Sequence, residues 1–208
     1  FRVVAGGDAC VCYLAVAGGL ALPPVLGSLA TYTRSGIGGF SGRALKAGDE
    51  IPLRQAAVEA AAPRRLRDAP DPGFARPIRC TWGIQKDYFT DEGLDRFQAG
   101  PFVILPESDR MGFRLAGPTL DHAGAYDIVS DGIATGAIQV PGNGNPIALL
   151  ADRQTTGGYP KIANVISADL STLGRRRPGH EVRFEIVDVE TAEAIRRAHE
   201  KSLRVLET

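Results

Sequence analysis

The segment 152–161 places two adjacent glycines among hydroxyl, amide and amine side chains. Adjacent glycines allow the backbone to approach a ligand closely or to adopt a positive φ. Hydroxyls, a carboxamide and exposed backbone N–H groups can hold a carboxylate, a carbonyl or a developing oxyanion, and a lysine can add a fixed positive charge. A hairpin loop whose threonines cap turns is the alternative interpretation, and composition alone leaves both open. The candidate residues here are Gln154, Thr155, Thr156, Gly157, Gly158, Tyr159 and Lys161.

Two further segments carry polar groups beside glycine. Arg110 lies within residues 108–118, where its planar fork suits a carboxylate, although a surface ion pair with Asp109 is an equally simple explanation. Gln139 precedes a Gly/Asn turn that by itself is typical of a hairpin, but its amide can hydrogen-bond an amide substrate. Arg110 and Gln139 therefore join the candidate residues.

Charge and composition exclude several classes of function. Lys plus Arg and Asp plus Glu number 24 each, so the basic surplus that nucleic-acid binding needs is missing. Three cysteines and three histidines stand at spacings unlike those of a zinc site, so we predict no metal site. The most apolar run, residues 13–30, is interrupted by glycine and proline and predicts no membrane span. No signal peptide is visible, so the expected location is the cytoplasm.

The elements that must position these residues are mainly strands. Glycine and proline separate short apolar runs, which is typical of an all-β barrel or sandwich. The period-two alternation over 181–189 predicts the clearest strand. Short helices are predicted after Thr90, with Thr90 as N-cap, over 191–206, with Thr191 as N-cap, and within 161–173. The other predicted strands are residues 10–17, 100–105, 137–140 and 147–150.

A proline-rich, charged stretch without periodicity predicts a linker over residues 63–77. It separates residues 1–62, which are few for an independent barrel, from residues 78–208. A strand at residues 10–17 would leave an edge and apolar surface exposed. We therefore expect a partner chain, or a preceding half-domain, to cover it.

Ten ordered segments together resemble the biotin-dependent carboxyltransferase family, also called urea amidolyase-like. This family includes allophanate hydrolase subunit 2, the C subunit of bacterial 5-oxoprolinase, and an antagonist of a sporulation-kinase inhibitor. The segments are residues 13–19, 23–28, 31–33, 36–39, 42–49, 85–90, 108–112, 115–118, 136–142 and 154–163.

The resemblance implies two cyclophilin-like β-barrel subdomains with a cleft between them. Residues 1–62 would be the incomplete first subdomain and residues 78–208 the second. Lys161, Thr156 and Arg110 are then predicted to be catalytic, and Gln139, Gln154, Thr155, Gly157, Gly158 and Tyr159 to bind substrate in the cleft. In that assignment Gln139 contacts an amide, Arg110 clamps a carboxylate, and Lys161 adds charge.

For function, the resemblance implies an enzyme subunit that is inactive alone. The first hypothesis is the C subunit of an ATP-dependent 5-oxoprolinase, an amide-bond hydrolase that opens 5-oxoproline to glutamate with a B-type (allophanate hydrolase subunit 1-like) and an A-type amidohydrolase subunit. ATP then belongs to the complex. The alternatives are a carboxyltransferase that moves a carboxyl group between biotin and urea, or a non-enzymatic antagonist of a kinase inhibitor. The only methionine is Met111, so a biotin-attachment motif is lacking and a stand-alone subunit is favoured.

Overall fold

The computed structural model describes residues 9–55, 71 and 73–204. Spatial contacts divide the chain into two compact units, one of Phe1–Val11 with Pro70–Thr208 and one of Cys12–Ala69. Residues 63–70 and 72 of the predicted linker lie outside the described residues, so the linker and the domain limits stay predictions. Within the described part, no helix is both long and apolar enough to cross a membrane.

Twelve short strands and three α-helices make up the described secondary structure. The strands are β1 (Thr31–Tyr32), β2 (Ile37–Gly38), β3 (Ile78–Trp82), β4 (Phe102–Ile104), β5 (Gly112–Ala116), β6 (Asp131–Gly132), β7 (Ala137–Gln139), β8 (Ile147–Leu149), β9 (Thr156–Gly157), β10 (Lys161–Val165), β11 (Glu181–Val182) and β12 (Phe184–Ile186). The helices are α1 (Asp91–Ala99), α2 (Leu170–Gly174) and α3 (Val189–Arg204), with 3-10 turns at Lys86–Tyr88 and Ser167–Asp169.

Eight strands of the larger unit form one nearly closed sheet. Its order is β11-β4-β5-β8-β7-β10-β3-β12, and all neighbours are antiparallel except β12 and β3. The two terminal strands of this order, β11 and β12, are separated in sequence by Arg183 alone. A single extended segment therefore reaches both edges of the sheet, and the mainly β, barrel-type prediction is confirmed.

The barrel core is aromatic. Phe97, from α1, stacks on Phe184 of β12 with ring centroids 4.8 Å apart and planes within 9°, and Phe102 lies against both rings. The predicted cap of α1 is confirmed, because Thr90 Oγ1 accepts a hydrogen bond from Gly93 N at 3.0 Å. Capping by Thr90 satisfies one free N–H at the helix start and fixes the turn that carries Phe97 into the core.

Three predicted elements differ from the structure in their type or position. Residues 10–17 form no strand, so that prediction was wrong, and the Cys10 amide instead donates to Arg175 O at 2.9 Å. The N-terminal part of 161–173 is strand β10, and helix α2 begins only at Leu170. Helix α3 begins two residues earlier than predicted. Its cap is Asp188, whose Oδ1 accepts a hydrogen bond from Thr191 N at 2.7 Å, and not Thr191.

The predicted strand over 181–189 is correct in its alternation and wrong in its continuity. Val182 and Phe184 are buried while Glu181, Arg183 and Glu185 are exposed. The run nevertheless divides between two partners, since β11 pairs with β4 and β12 with β3.

The smaller unit, described over residues 12–55, has the two-residue ribbon β1–β2 and otherwise turns. Arg43 donates two hydrogen bonds of 2.8 Å to the Asp49 carboxylate, and the Lys46 amide donates to the same group at 2.6 Å. Gly39 has φ +52°, and a Cβ there would lie 2.8 Å from Thr31 Cα. Local hydrogen bonds, glycine conformation and an isolated antiparallel bridge between Leu20 and Leu53 thus define this unit's backbone.

Candidate active site

Lys161 and Gln139 lie opposite each other on neighbouring strands of the barrel. They are Cα partners in the antiparallel pairing of β10 with β7, and the register shifts immediately after Lys161. Residues directly opposite in an antiparallel pair project to the same face with Cβ atoms about 4.5–5.5 Å apart. The sheet therefore presents an amine and a carboxamide side by side.

The Lys161 ammonium is buried and paired with Asp131. Its Nζ lies 2.8 Å from Asp131 Oδ2, and 7% of the Lys161 side chain is exposed against 45% of the Asp131 side chain. The hydrogen bond from Lys161, together with those from the Gly132 amide and Gln85, holds the pKa of Asp131 below its usual range. Asp131 is therefore a stable anion and a weak base.

The Gln139 side chain is almost fully buried, with 2% of the residue exposed. Its Nε2 donates to Tyr159 O at 3.1 Å, and its Oε1 accepts from Gln154 Nε2 at 3.5 Å. These two contacts join the Gln139 amide to the segment 152–161, so three predicted site residues meet here.

Gly157 packs directly on this amide. A Cβ at Gly157 would lie 3.0 Å from Gln139 Nε2 and 2.7 Å from Ile133 Cδ1, while neither Gly157 nor Gly158 has a positive φ. Close approach, rather than an unusual backbone conformation, explains why Gly157 is glycine. The Gly158 carbonyl accepts a hydrogen bond from Ile128 N at 2.8 Å and so joins the loop to residue 128.

The two threonines lie on the exposed side of the loop. Thr156 belongs to β9 and faces Gly132 in the β6–β9 ribbon, and Thr155 O accepts from Ile133 N at 3.0 Å. Both residues are exposed, so their hydroxyls are available to solvent or a ligand.

Arg110 is joined to the start of the same loop. Its Nε and one terminal nitrogen donate to the two carboxylate oxygens of Asp152 at 2.8 and 2.9 Å, and its carbonyl accepts from Asp152 N. Beside this pair, Asp109 Oδ1 accepts from Met111 N at 2.8 Å. A substrate carboxylate at Arg110 would have to replace Asp152.

The structure thus brings Lys161, Gln139, Gln154, Gly157 and Tyr159 into one group, with Arg110 anchored at the loop entrance. Sequence reasoning missed the two residues that complete the group. They are Asp131 and Gln85, whose Oε1 accepts from Lys161 N at 3.3 Å. Asp131 stands in an Asp-Gly pair that is typical of a turn, and no spacing signal links it to Lys161, which lies 30 residues away.

This arrangement can bind an anion and an amide at adjacent positions. The Lys161 ammonium suits a carboxylate or an oxyanion, and the Gln139 carboxamide can both donate to and accept from an amide. Over the described ranges 9–55, 71 and 73–204, no group of three or more His, Cys, Asp or Glu side chains is arranged to hold a metal ion.

Comparison with known proteins places this site in a wider context. Two curated relatives are C subunits of 5-oxoprolinase, one from Haemophilus influenzae, 40% identical over 188 residues, and one from Escherichia coli, 39% identical over 183 residues. The alignments cover 90% and 86% of this chain and 60% and 57% of those relatives. This chain therefore spans somewhat more than half the length of the curated relatives it matches.

A solved structure and a family model point the same way. The crystal structure of the Kluyveromyces lactis urea amidolyase matches with a TM-score of 0.73 and 26% identity, over 89% of this chain and 12% of that one. The family model described as "Carboxyltransferase domain, subdomain A and B" matches residues 2–186. The chain belongs to this carboxyltransferase-domain family.

Proposed function

We propose that this chain is the C component of an ATP-dependent 5-oxoprolinase, which opens the lactam of 5-oxoproline to glutamate together with A-type and B-type subunits. The observation that carries the proposal is the identity of about 40% to two proteins named as C subunits of 5-oxoprolinase. That identity extends over most of this chain.

The geometry around Lys161 supports this assignment. A lactam carbonyl acquires negative charge on oxygen when a nucleophile attacks its carbon, before the C–N bond breaks, and fixed positive charge or N–H donors at that oxygen lower the barrier. Gln139 and Gln154 supply N–H donors for that oxygen, the exposed Thr156 hydroxyl supplies a further donor, and Lys161 supplies a fixed positive charge beside them for the substrate's carboxylate. In this proposal the ion pair between Arg110 and Asp152 fixes the start of the segment 152–161.

ATP is assigned to the complex and not to this chain. A triphosphate needs several cations or N–H groups around one cradle, whereas the described part of this site gathers one buried ammonium, that of Lys161. The residues present fit a carboxylate or an oxyanion better than a polyphosphate, so the role assigned to Lys161 involves no contact with ATP.

A second candidate is a carboxyltransferase that moves a carboxyl group between biotin and urea. The likeness to the urea amidolyase of K. lactis favours it. The same Lys161 charge would then stabilise the carboxylate in transit, and Gln139 would orient the urea amide.

Reconstitution tests the two candidates directly. The chain is combined with purified A-type and B-type subunits, and glutamate release from 5-oxoproline with ATP is compared with urea carboxylation in the presence of carboxybiotin. Glutamate release that requires all three proteins supports the proposal. Urea carboxylation without glutamate release would support the second candidate instead.

Variants connect that activity to the site. Lys161→Met is expected to lower kcat/KM by about 10²–10³-fold, the usual loss for one charge-stabilising group, and Thr156→Val by a smaller factor. Lys201→Met, which removes an exposed lysine from α3, is the matched control. Wild-type turnover in Lys161→Met, with all three proteins assembled, would show that the site lies elsewhere.

A further inference from the structure

The Lys161 ammonium has bonding capacity that its surroundings do not use. An ammonium has three N–H donors, and among the residues that the structure describes Nζ donates one hydrogen bond, to Asp131. With 7% of the side chain exposed, little water can satisfy the other two donors. A buried cation with spare donors suits an anionic ligand.

Asp131 lies on the solvent side of this ammonium. Its side chain is 45% exposed, and its strand, β6, is two residues long and pairs with β9. A carboxylate on so short a ribbon can move away without disturbing the eight-stranded sheet. Asp131 therefore covers Lys161 without being locked in place.

We propose that Asp131 is an internal carboxylate that occupies the position at which the substrate's carboxylate binds Lys161, and that substrate enters by replacing it. This inference rests on the proposed function, because it assigns the substrate class of the same site. It identifies the ligand as a small molecule that carries a carboxylate beside an amide.

The position of Gln139 is the reason for expecting an amide beside the ligand's carboxylate. It is the Cα partner of Lys161, so ammonium and carboxamide belong to residues whose Cβ atoms are about 5 Å apart. A lactam carboxylate such as 5-oxoproline has its two polar groups on one small ring, and it reaches both partners once the 3.5 Å contact between Gln154 and Gln139 opens. Urea has no carboxylate and gains nothing from the exchange.

Arg110 is the other cation that could receive the carboxylate, and the contacts favour Lys161. Arg110 binds both oxygens of Asp152 in a bidentate pair, so both acceptors of that carboxylate are used. Displacing Asp152 would break two hydrogen bonds and a backbone contact at the loop entrance. Displacing Asp131 breaks the hydrogen bond to Nζ and the contact with Gln85, whereas the bond from the adjacent Gly132 amide can move with the carboxylate.

The exchange is also balanced in charge. One carboxylate replaces another at the buried ammonium, so the bound complex contains no unpaired buried charge, which would be costly. The fraction of time for which Asp131 is displaced sets the apparent affinity, because a ligand binds only the open state. Removal of the Asp131 charge should therefore strengthen binding of a carboxylate.

A fixed positioning role for Asp131 would give the opposite result. If Asp131 only aligned Lys161, its loss would loosen the ammonium and weaken binding or turnover. The direction of the change in Kd thus separates the two roles.

Calorimetric titration of the purified chain with two probes, 5-oxoproline and acetate, tests the exchange. Asp131→Asn should bind both about tenfold more tightly than wild type if the closed state is populated about nine-tenths of the time. The neutral carboxamide of 5-oxoproline should bind the two proteins equally, and the gain should vanish in Asp131→Asn/Lys161→Met. Asp95→Asn, which alters an exposed carboxylate on α1, should change nothing.

Circular dichroism and thermal melting establish that each variant is folded, and Asp131→Ala serves as a second variant should Asp131→Asn misfold. Unchanged or weaker binding of both carboxylates in the folded variants overturns the inference.

The reconstituted complex separates failure of the exchange from failure of the proposed function. Tighter acetate binding in Asp131→Asn together with no glutamate release by the wild-type complex keeps the exchange and rejects the 5-oxoprolinase assignment. Glutamate release by the wild type together with a lower kcat and no fall in KM for Asp131→Asn keeps the assignment and rejects the exchange.

Discussion

Apolar side chains are buried in the barrel, whereas similar side chains in the region of residues 12–55 are exposed. Every buried hydrophobic residue of the described chain lies between Ile78 and Phe184. In the region 12–55, Tyr13 and Leu26 are 93% and 101% exposed, and only Gly39 and Gly42 are buried. An apolar residue becomes core only where a second packed surface faces it, and the nearly closed sheet supplies that surface in the barrel.

The region 12–55 is ordered by polar contacts. Turn hydrogen bonds, the Leu20–Leu53 bridge and the Arg43–Asp49 pair define its backbone, without the apolar burial that normally stabilises a domain. Its exposed apolar side chains agree with the sequence-based expectation of a covering partner or segment, which stays a prediction.

Truncating one aromatic residue in each region should show the largest contrast. Phe97→Ala removes a fully buried ring stacked on Phe184 and should lower the free energy of unfolding by about 3–5 kcal/mol. Tyr13→Ala, in the exposed region, should change it by less than about 0.5 kcal/mol. Urea denaturation followed by circular dichroism measures both, and equal losses would contradict the contrast between the two regions.

Glycine has different roles at different positions. Gly19, Gly27 and Gly48 have positive φ and open space at Cβ, whereas Gly157 of β9 is confined by Ile133 and Gln139. Gly157→Ala should therefore destabilise the barrel by about 1–3 kcal/mol through overpacking, as measured by urea denaturation.

The neighbouring Gly132 provides the control, since a Cβ there meets nothing within 4 Å. Gly132→Ala should shift the free energy of unfolding by less than about 0.5 kcal/mol. A Gly157→Ala protein as stable as the wild type would show that Gln139 is free to move.

The smallest expected effect is the loss of the stabilising contribution of the Arg43–Asp49 pair at acidic pH. The hydrogen bonds from Arg43, then from the Lys46 amide, lower the pKa of Asp49 from 3.8 to about 2. Because the folded pKa is below the unfolded value, the Arg43–Asp49 pair stabilises the region fully above about pH 4 and loses that contribution as the pH falls toward 2. A carbon-detected NMR titration of the Asp49 carboxyl should give a midpoint near 2, and Arg43→Gln should move it toward 3.8. A wild-type midpoint near 3.8 would mean that the pair does not persist in solution.

Features specified by neighbouring residues were predictable from the sequence. Thr90 caps a helix through the amide three residues ahead, and alternation over 181–189 correctly separated buried from exposed side chains. The strand predicted over 10–17 failed because composition gives no information about whether a neighbouring strand exists. Asp188 takes the place of Thr191 as the α3 cap, and because both residue types are good caps, residue type alone did not distinguish them.

The candidate site was predicted only in part for the same reason. The segment 152–161 was evident from its glycines and hydroxyls, and the pairing of β10 with β7 brought Gln139 to it. Asp131, Gln85 and the Asp152 partner of Arg110 depend on which strands lie side by side. That order is set by the whole barrel, and the spacing of any one motif does not contain it.

The way the barrel closes has a consequence for its synthesis. Its first strand, β3, pairs with its last, β12, and β4 pairs with β11. These last two strands are therefore synthesised about a hundred residues after the first strand has left the ribosome. Until residues 181–186 are made, both edges of a growing sheet are exposed to other nascent chains. Closure across so long a sequence separation also predicts slow folding, so the strand order itself lengthens the period in which unpaired strands are exposed.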